Sequence, residues 1–304
     1  MMSRIIYFWL GLMIGLSLSL SDAFADYPMS FENKGRVITV RAAPKKALTF
    51  GTPAAEIMAA LGLGPFMLGR IQGREGLLPE YEAALKEVPK YFDPDVESQE
   101  IVKGADFFFG QFPKDAREIR WDWLPVYVLE PGSLEDLYQR IREIGQIFQV
   151  EDRADRLLTE LNDKLYQTTS RLTSYEPIKA LVYDIRADGV YTAGGPDFES
   201  RLVDLAGGDN IFSDLEAWSK VTPEEILARD PEAIIVLDYG TEEAEKKVAS
   251  LKAHPVLSQT RAVKLDKILI MTLNSLESGL RAPQAVETLA KFFHPSLYEV
   301  NASK

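Results

Sequence analysis

Short runs rich in β-branched and aromatic residues alternate with helical segments from residue 36 onward. Strands that alternate with helices in this way indicate an α/β fold with largely parallel sheets. The runs fall into two sets, so we expect two lobes, each with its own central sheet. The predicted strands are 37–41, 47–50, 66–69, 106–109 and 126–129 in the first set, and 180–184, 190–193, 233–238 and 268–272 in the second.

The longest helical stretch of the sequence lies between the two sets. Ser133 is a good N-cap followed by two acidic residues, and apolar residues then recur at helical spacing. A second helix is predicted over residues 151–172, with a length of about 33 Å. We therefore expect a single long backbone helix at residues 149–175, which joins an N-terminal lobe, 26–148, to a C-terminal lobe, 176–304.

The first residues have the three parts of a secretory signal peptide. Arg4 gives a basic start, residues 5–20 are apolar, and residues 23–25 fit the small-x-small cleavage rule. The apolar run of 16 residues is shorter than the roughly 20 that a spanning helix needs, which disfavours an uncleaved anchor. We expect residues 1–25 to be removed and the mature protein, beginning at Asp26, to be periplasmic.

The composition limits the classes of partner. The chain has no cysteine, so it has no disulfide, no thiol nucleophile and no lipid-modified cysteine behind the signal peptide. Its formal net charge of −12 disfavours nucleic acid, which requires a concentrated basic face. An anionic small ligand is compatible with this charge, because salt screens distant charges over about 8–10 Å. We expect a monomer without a nucleic-acid partner.

A series of short motifs occurs in a characteristic order along nearly the whole mature chain. They are 44–50, 52–57, 61–63, 88–90, the helix that begins at Glu97, 125–129, 133–145, 205–212, 218–219, 221–231 and 293–295. In this order they resemble the periplasmic ferric-siderophore and cobalamin-binding proteins of ABC importers, whose two lobes are joined by one long helix. The resemblance implies a ligand in the cleft between the lobes, beside the C-terminal ends of the strands.

The resemblance also implies a protein partner. In such proteins one exposed glutamate on each lobe docks into arginine-containing pockets of a permease dimer, whose ATPase subunits hydrolyse ATP. Glu97 and Glu224 match those two positions. The alternative is that each glutamate only complements the dipole of the helix it begins.

The implied ligand is an iron(III) chelate, most simply a ferric siderophore. Its coordination is filled by its own oxygens, so we expect no cofactor and no metal-ligating side chain in the protein. Arginine forks and aromatic rings would recognise the outside of such a complex. The candidates, chosen mainly at strand ends, are Arg70, Arg74, Phe112, Arg186, Tyr191, Trp218, Tyr239 and Arg281. The alternative for the arginines is pairing with surface acids, and for Phe112 and Trp218 packing beneath a loop.

Three other functions compete with this interpretation. A binder of bare zinc or manganese would need several converging His and carboxylate ligands, and the sequence contains only His254 and His294. An enzyme is disfavoured, because phosphate-loop, serine-elbow and paired-histidine motifs are lacking. Cobalamin and haem remain alternatives within the same importer class, and Tyr191 or Tyr239 could supply an axial ligand to haem.

Overall fold

A sheet of five parallel strands forms the centre of the first lobe. The computed structural model describes residues 27–71, 76–91, 102–110, 123–172, 174–239, 243–277 and 279–299. The strand order is β5-β4-β3-β6-β7, with every neighbouring pair parallel. The strands are β3 (Ala47–Phe50), β4 (Met67–Ile71), β5 (Lys90–Tyr91), β6 (Phe107–Gly110) and β7 (Val126–Val128), preceded by an antiparallel hairpin of β1 (Met29–Asn33) and β2 (Arg36–Val40).

The two central strands of this sheet show why it forms here. Every residue of β6 is buried, and so are the first three residues of β3. Strands covered on both faces need continuous apolar runs rather than alternation, and the three phenylalanines of β6 supply one. Helices α1 (Thr52–Ala60), α2 (Pro79–Ala84) and α3 (Leu134–Ile147) belong to the same lobe.

The second lobe has a mixed sheet. Its strands are β8 (Ile178–Arg186), β9 (Gly189–Thr192), β10 (Gly208–Asn210), β11 (Ser219–Val221), β12 (Ala233–Asp238) and β13 (Ile268–Thr272). The order is β11-β9-β8-β12-β13, with β10 also beside β8. The β8–β9 and β9–β11 pairs are antiparallel, and the other pairs are parallel. Its helices are α5 (Phe198–Leu205), α6 (Pro223–Arg229), α7 (Ala244–Ala253), α8 (Arg261–Lys264), α9 (Leu273–Leu276), α10 (Ala282–Phe293) and α11 (Ser296–Glu299).

Helix α4 (Glu151–Thr169) connects the two lobes. It packs on α3 of the first lobe and on α10 of the second. Four apolar residues at helical spacing form its buried stripe: Ala154, Leu157, Leu158 and Leu161. Its 19 residues span about 28 Å. The helix lies within the predicted range 149–175, while the exact boundaries of the lobes stay a prediction.

A second connection, here called the lobe junction, consists of Glu56, Arg281, Thr52 and Asn274. Arg281 Nη2 donates to Glu56 Oε1 at 2.6 Å, and its Nε donates to the same oxygen at 3.1 Å. The Arg281 side chain is 12 % exposed and that of Glu56 is 1 % exposed. Asn274 Nδ2 also donates to Thr52 Oγ1 at 3.4 Å. Polar groups of α1 in the first lobe are thus bound to Asn274 of α9 and to Arg281, the N-cap of α10, in the second lobe.

The predicted α/β class with two mostly parallel sheets is confirmed. The predicted strands 47–50, 233–238 and 268–272 coincide with β3, β12 and β13. The predicted N-cap is also confirmed, because Ser133 Oγ accepts the amide hydrogen of Asp136 at 3.1 Å. Among the described residues, no helix has the length and apolarity needed to cross a membrane.

Candidate functional site

A cleft of about 540 Å³ lies between the lobes, beside the C-terminal ends of strands from both sheets. The first lobe contributes Lys34 from the β1–β2 turn and residues 130–132, which follow β7. The second lobe contributes the ends of β8 and β12, residues 196–199, and Trp218. We call Arg186, Tyr191, Trp218, Tyr239 and Glu199 the cleft wall; Tyr191 stands behind Arg186, and the other four line the cleft directly.

Asp184, near the end of β8, organises the cleft wall. Its side chain is fully buried, and Oδ2 accepts hydrogen bonds from Arg186 Nε and from Tyr239 OH, both at 2.7 Å. Burial, followed by the hydrogen bond to Asp184, raises the pKa of the Tyr239 hydroxyl above its usual value. One carboxylate therefore fixes a guanidinium and a phenol that come from two neighbouring strands.

Arg186 is stacked against two rings. Its guanidinium carbon lies 4.3 Å from the centre of the Tyr191 ring and 5.9 Å from that of Trp218. Its side chain is 47 % exposed, and only Nε is used by Asp184. The two outer nitrogens are thus held by stacking at the cleft and can donate to the oxygens of a ligand.

Two carboxyl groups lie beside Trp218. The Trp218 indole Nε1 donates to Glu199 Oε2 at 3.4 Å, and Asp197 Oδ2 accepts the amide hydrogen of Gly194 at 2.7 Å. Burial, with a further contribution from the Asp197 carboxylate, raises the pKa of Glu199 to about 7. Burial also raises the pKa of Asp197. Both carboxyl groups therefore bind a proton more readily than an exposed carboxyl group does.

Two consecutive glycines, Gly194 and Gly195, allow two loops beside the cleft wall to pack against each other. A Cβ atom at Gly195 would overlap the carbonyl oxygen of Ser213, and one at Gly194 would lie 2.5 Å from that of Leu215. The Gly195 amide instead donates to Leu215 O at 2.9 Å. Because these two positions have no side chain, the segment 213–217 packs directly on the loop that leads into α5, the helix of Glu199.

The structure brings together four of the ligand residues predicted from the sequence. Arg186, Trp218 and Tyr239 line the cleft, and Tyr191 supports Arg186 from behind. The Tyr191 hydroxyl itself donates to the exposed carboxylate of Asp188 at 2.8 Å. Their roles in ligand binding stay predictions. Arg74, Phe112 and Glu97 lie outside the described residues.

Arg70 is placed differently from the expectation. Strand β4 continues to Ile71, so Arg70 lies inside the strand rather than in a loop after it. Its side chain is 3 % exposed, and its outer nitrogens donate to the two Glu82 carboxylate oxygens at 2.9 and 2.7 Å. The bidentate contact lowers the pKa of Glu82. Arg70 therefore joins α2 to the sheet and does not line the cleft of the described residues.

Arg281 is also placed differently, because it forms the lobe junction with Glu56 instead of lining the cleft. Its Nη2 also donates to the carbonyl oxygen of Gly76 at 2.9 Å. The guanidinium is thus occupied on two sides by groups of the first lobe. The alternative of pairing with an acid therefore describes Arg281 and Arg70 better than ligand contact does.

Glu224 is exposed at the beginning of α6, whose N-cap is Thr222 with the neighbouring Glu225 as its capping partner. Thr222 Oγ1 accepts the Glu225 amide hydrogen at 3.2 Å, and the Glu225 carboxylate accepts that of Thr222 at 2.7 Å. This reciprocal pair is a capping box. Glu224 is therefore not needed for the cap, and its carboxylate is available at the surface.

Neither histidine lies at the cleft. His254 Nδ1 accepts the amide hydrogens of Val256 and Leu257, and His294 is buried against the carbonyl oxygen of Gly207. Within the part of the chain that the structure describes, no three His, Asp or Glu side chains converge as a metal-ligand group.

Several residues of the site were missed in the sequence. Lys34 and Glu130 form an ion pair of 3.2 Å on the first-lobe side of the cleft, and Glu199 lies on the opposite side. The available signals were that Glu130 follows a predicted strand and that Glu199 begins a helix. An acidic residue at a helix start is common for dipole reasons, so it did not indicate a binding site.

Two α/β lobes around a cleft lined from strand ends define the class of solute-binding proteins. The family model described as periplasmic binding protein matches residues 49–273, and the chain belongs to this family. The sequence-based assignment to this family is thereby confirmed.

Two relatives match most of the chain. YvrC of Bacillus subtilis, named as an uncharacterized ABC transporter substrate-binding lipoprotein, is 21 % identical over 90 % of this chain and 88 % of its own length. A cobalamin-binding protein of Halobacterium salinarum is 24 % identical and covers 89 % of this chain and 74 % of its own.

Three solved structures share the fold. A periplasmic binding protein from Veillonella parvula has a TM-score of 0.76 and 25 % identity, covering 88 % of this chain and 97 % of its own. An Fe3+-hydroxamate transport protein from Saccharomonospora viridis has a TM-score of 0.73 and 22 % identity, covering 88 % and 100 %. The haem-binding protein RhuT from Roseiflexus has a TM-score of 0.69 and 22 % identity, covering 84 % and 99 %.

Proposed function

We propose that this protein binds a preformed metal chelate in the cleft between its lobes and delivers it to the permease of an ABC importer. A ferric siderophore is the first candidate. The observation that carries the proposal is the half-exposed Arg186 guanidinium, stacked between Tyr191 and Trp218 at the cleft. Its role is transport rather than catalysis.

The shape and lining of the cleft suit a complete chelate. Its volume of about 540 Å³ lies within the range of about 300–1,000 Å³ that is usual for small-molecule sites. Ring faces and an arginine fork contact organic backbones and ligand oxygens, not a bare ion. The resemblance of the fold to an Fe3+-hydroxamate transport protein supports the same class of ligand.

Cobalamin is the second candidate, because the relative that covers 89 % of this chain at 24 % identity carries that name. The indole of Trp218 and the phenol of Tyr239 offer the apolar contacts that a corrin needs. Haem is favoured less by the geometry. Tyr239 could ligate haem iron only by giving up its hydrogen bond to Asp184.

A titration distinguishes these ligands. Purified mature protein is titrated with a linear ferric trihydroxamate, a ferric tricatecholate, ferric citrate, cyanocobalamin and haemin, while tryptophan fluorescence and ligand absorbance are followed. We expect saturable binding of at least one chelate, with a weaker fluorescence response in W218F. If no chelate binds the wild-type protein, the proposed function is wrong.

Docking to the permease is proposed to use Glu224, together with Glu97 on the first lobe. The support is that Glu224 is exposed while Glu225 performs the capping. We expect E224R to abolish uptake by cells and to leave ligand affinity in solution unchanged. E245R is the matched control, because Glu245 is also an exposed acid in the first turn of a helix of the second lobe. Equal loss of uptake in both variants would contradict the docking role.

The family places the protein outside the cytoplasm, and we propose that it is free in the periplasm after cleavage of residues 1–25. The relative from Bacillus subtilis is a lipoprotein, whereas this chain contains no cysteine to carry a lipid. N-terminal sequencing of the exported protein should begin at Asp26. Membrane-bound protein that retains residues 1–25 would contradict this proposal.

A further inference from the structure

Among the residues that the structure describes, the lining of the cleft has more carboxylates than cations. Its lining includes Glu130, Asp197, Glu199 and Glu277, together with the basic residues Lys34 and Arg186. A buried carboxylate, Asp184, lies directly beneath Arg186. The described lining therefore carries an excess of negative charge, whereas arginines and aromatic rings were predicted there from the sequence.

Lys34 and Arg186, the two cations of the described lining, each have a carboxylate partner. Lys34 Nζ lies 3.2 Å from Glu130 Oε2, and Arg186 Nε lies 2.7 Å from Asp184 Oδ2. Each pair contributes little net charge to the space between the lobes. Arg186 can still donate hydrogen bonds to a ligand, but the carboxylate of Asp184 largely neutralises its charge.

Asp197 and Glu199 are carboxylates of the described lining that accept hydrogen bonds from neutral donors. Asp197 accepts a backbone amide hydrogen and Glu199 accepts the indole hydrogen of Trp218, and neither forms an ion pair with a described residue. Their raised pKa values have burial as the largest cause, and for Glu199 repulsion by Asp197 and Glu277 also contributes. A positive group placed beside Trp218 would relieve this repulsion, and a negative group would increase it.

We infer that the cleft selects chelates that present a neutral or positive end to Asp197 and Glu199, and that it discriminates against multiply anionic chelates. The inference rests on the proposed function and narrows its substrate class. Within that class it favours cationic hydroxamate complexes and corrinoids over tricatecholates, citrate complexes and haem with its two propionates.

A charge series tests the inference at constant shape. One probe is a linear ferric trihydroxamate with a terminal ammonium group, and the matched probes are its neutral N-acetyl and its anionic N-succinyl derivatives. A second series consists of aquocobalamin, cyanocobalamin and a cobalamin in which one side-chain amide is hydrolysed to a carboxylate. In at least one series we expect affinity to fall about three- to tenfold with each unit of positive charge lost.

The result is decisive in each direction. Equal or tighter binding of the anionic members, or binding of haemin or a tricatecholate alone, overturns the charge inference and leaves the proposed function standing. If no chelate binds, both the proposed function and the charge inference are wrong. The two failures are therefore distinguishable in one set of titrations.

Glu199 provides the matched variant. A cation binds more tightly to the ionised carboxylate, so affinity for the cationic trihydroxamate should rise several-fold from about pH 6 to about pH 8. Besides Glu199, the charged or titratable groups of the described cleft lining are Asp197, Glu277, Arg186, Lys34, Glu130 and the Tyr239 phenol, and neither histidine is among them. E199Q should flatten the profile and weaken cation binding. E216Q, at an exposed acid outside the cleft, should retain it. An unchanged profile in E199Q would contradict the role of this carboxylate.

Discussion

The cleft wall and the lobe junction each contain an arginine that the sequence predicts to bind ligand, yet the two side chains are used in opposite ways. Arg186 is 47 % exposed, and only its Nε is bound by Asp184. Arg281 is 12 % exposed and uses Nε and Nη2 on Glu56 and on Gly76 O. The number of outer nitrogens without a protein partner, rather than the position after a strand, separates an arginine that is available to a ligand from a structural one.

The largest effect is expected at the lobe junction. R281M leaves Glu56 buried without its cation, so the free energy of unfolding should fall by about 3–5 kcal/mol, measured by chemical denaturation. The double variant E56Q/R281M should recover much of this loss, because the uncompensated charge is gone. R201M, which breaks an exposed pair with Asp204, is the control and should cost less than about 1 kcal/mol. A similarly small loss in R281M would show that the junction contributes little.

The next effect concerns the cleft wall. R186M removes the donors of a half-exposed side chain, so we expect affinity for the bound chelate to fall about 10- to 100-fold. Stability should also fall, because the fully buried Asp184 loses its cation, but by less than in R281M, because Asp184 keeps the hydrogen bond from Tyr239 and Arg186 is half exposed. Titration and denaturation of the same sample test both statements. Loss of stability with unchanged affinity would reverse the comparison between the two arginines.

The smallest effect is expected at Tyr191, which touches Arg186 without lining the cleft. Y191L removes the stacked ring and should weaken chelate binding about two- to fivefold. Y191F keeps the ring and loses only a hydrogen bond to the exposed Asp188, so its affinity should match the wild type. If Y191F is weakened as much as Y191L, the hydroxyl rather than the ring supports the wall.

The fold was readable from the sequence where one pattern dominated. Strands β12 and β13 are short β-rich runs with clear limits, and both were predicted with their exact bounds. Strand β4 was not, because its glycine at residue 69 suggested an end to the strand. The strand continues for two residues beyond it, where Arg70 finds Glu82.

The site was only partly readable. Arg186 and Tyr239 follow or end predicted strands, so their position at the cleft follows from the rule for parallel sheets. The pairing of Arg281 with Glu56 joins residues 225 positions apart. Local patterns hold no information on such a partner, and the same is true of the charge balance around Glu199. The position of Arg281 after a strand therefore did not reveal its pairing with Glu56, and it did not reveal that carboxylates outnumber cations in the described lining.

The interlocked glycines of the second lobe have a consequence for how ligand choice can evolve. The backbone at Gly194 and Gly195 packs directly against the segment 213–217, so these two loops form one structural unit. A side chain introduced at Gly194 or Gly195 would therefore require a change in the backbone of the segment 213–217. In the evolution of such receptors, the two loops should therefore change together. Replacing one loop alone with that of a relative should disrupt this edge of the cleft and leave the sheets folded.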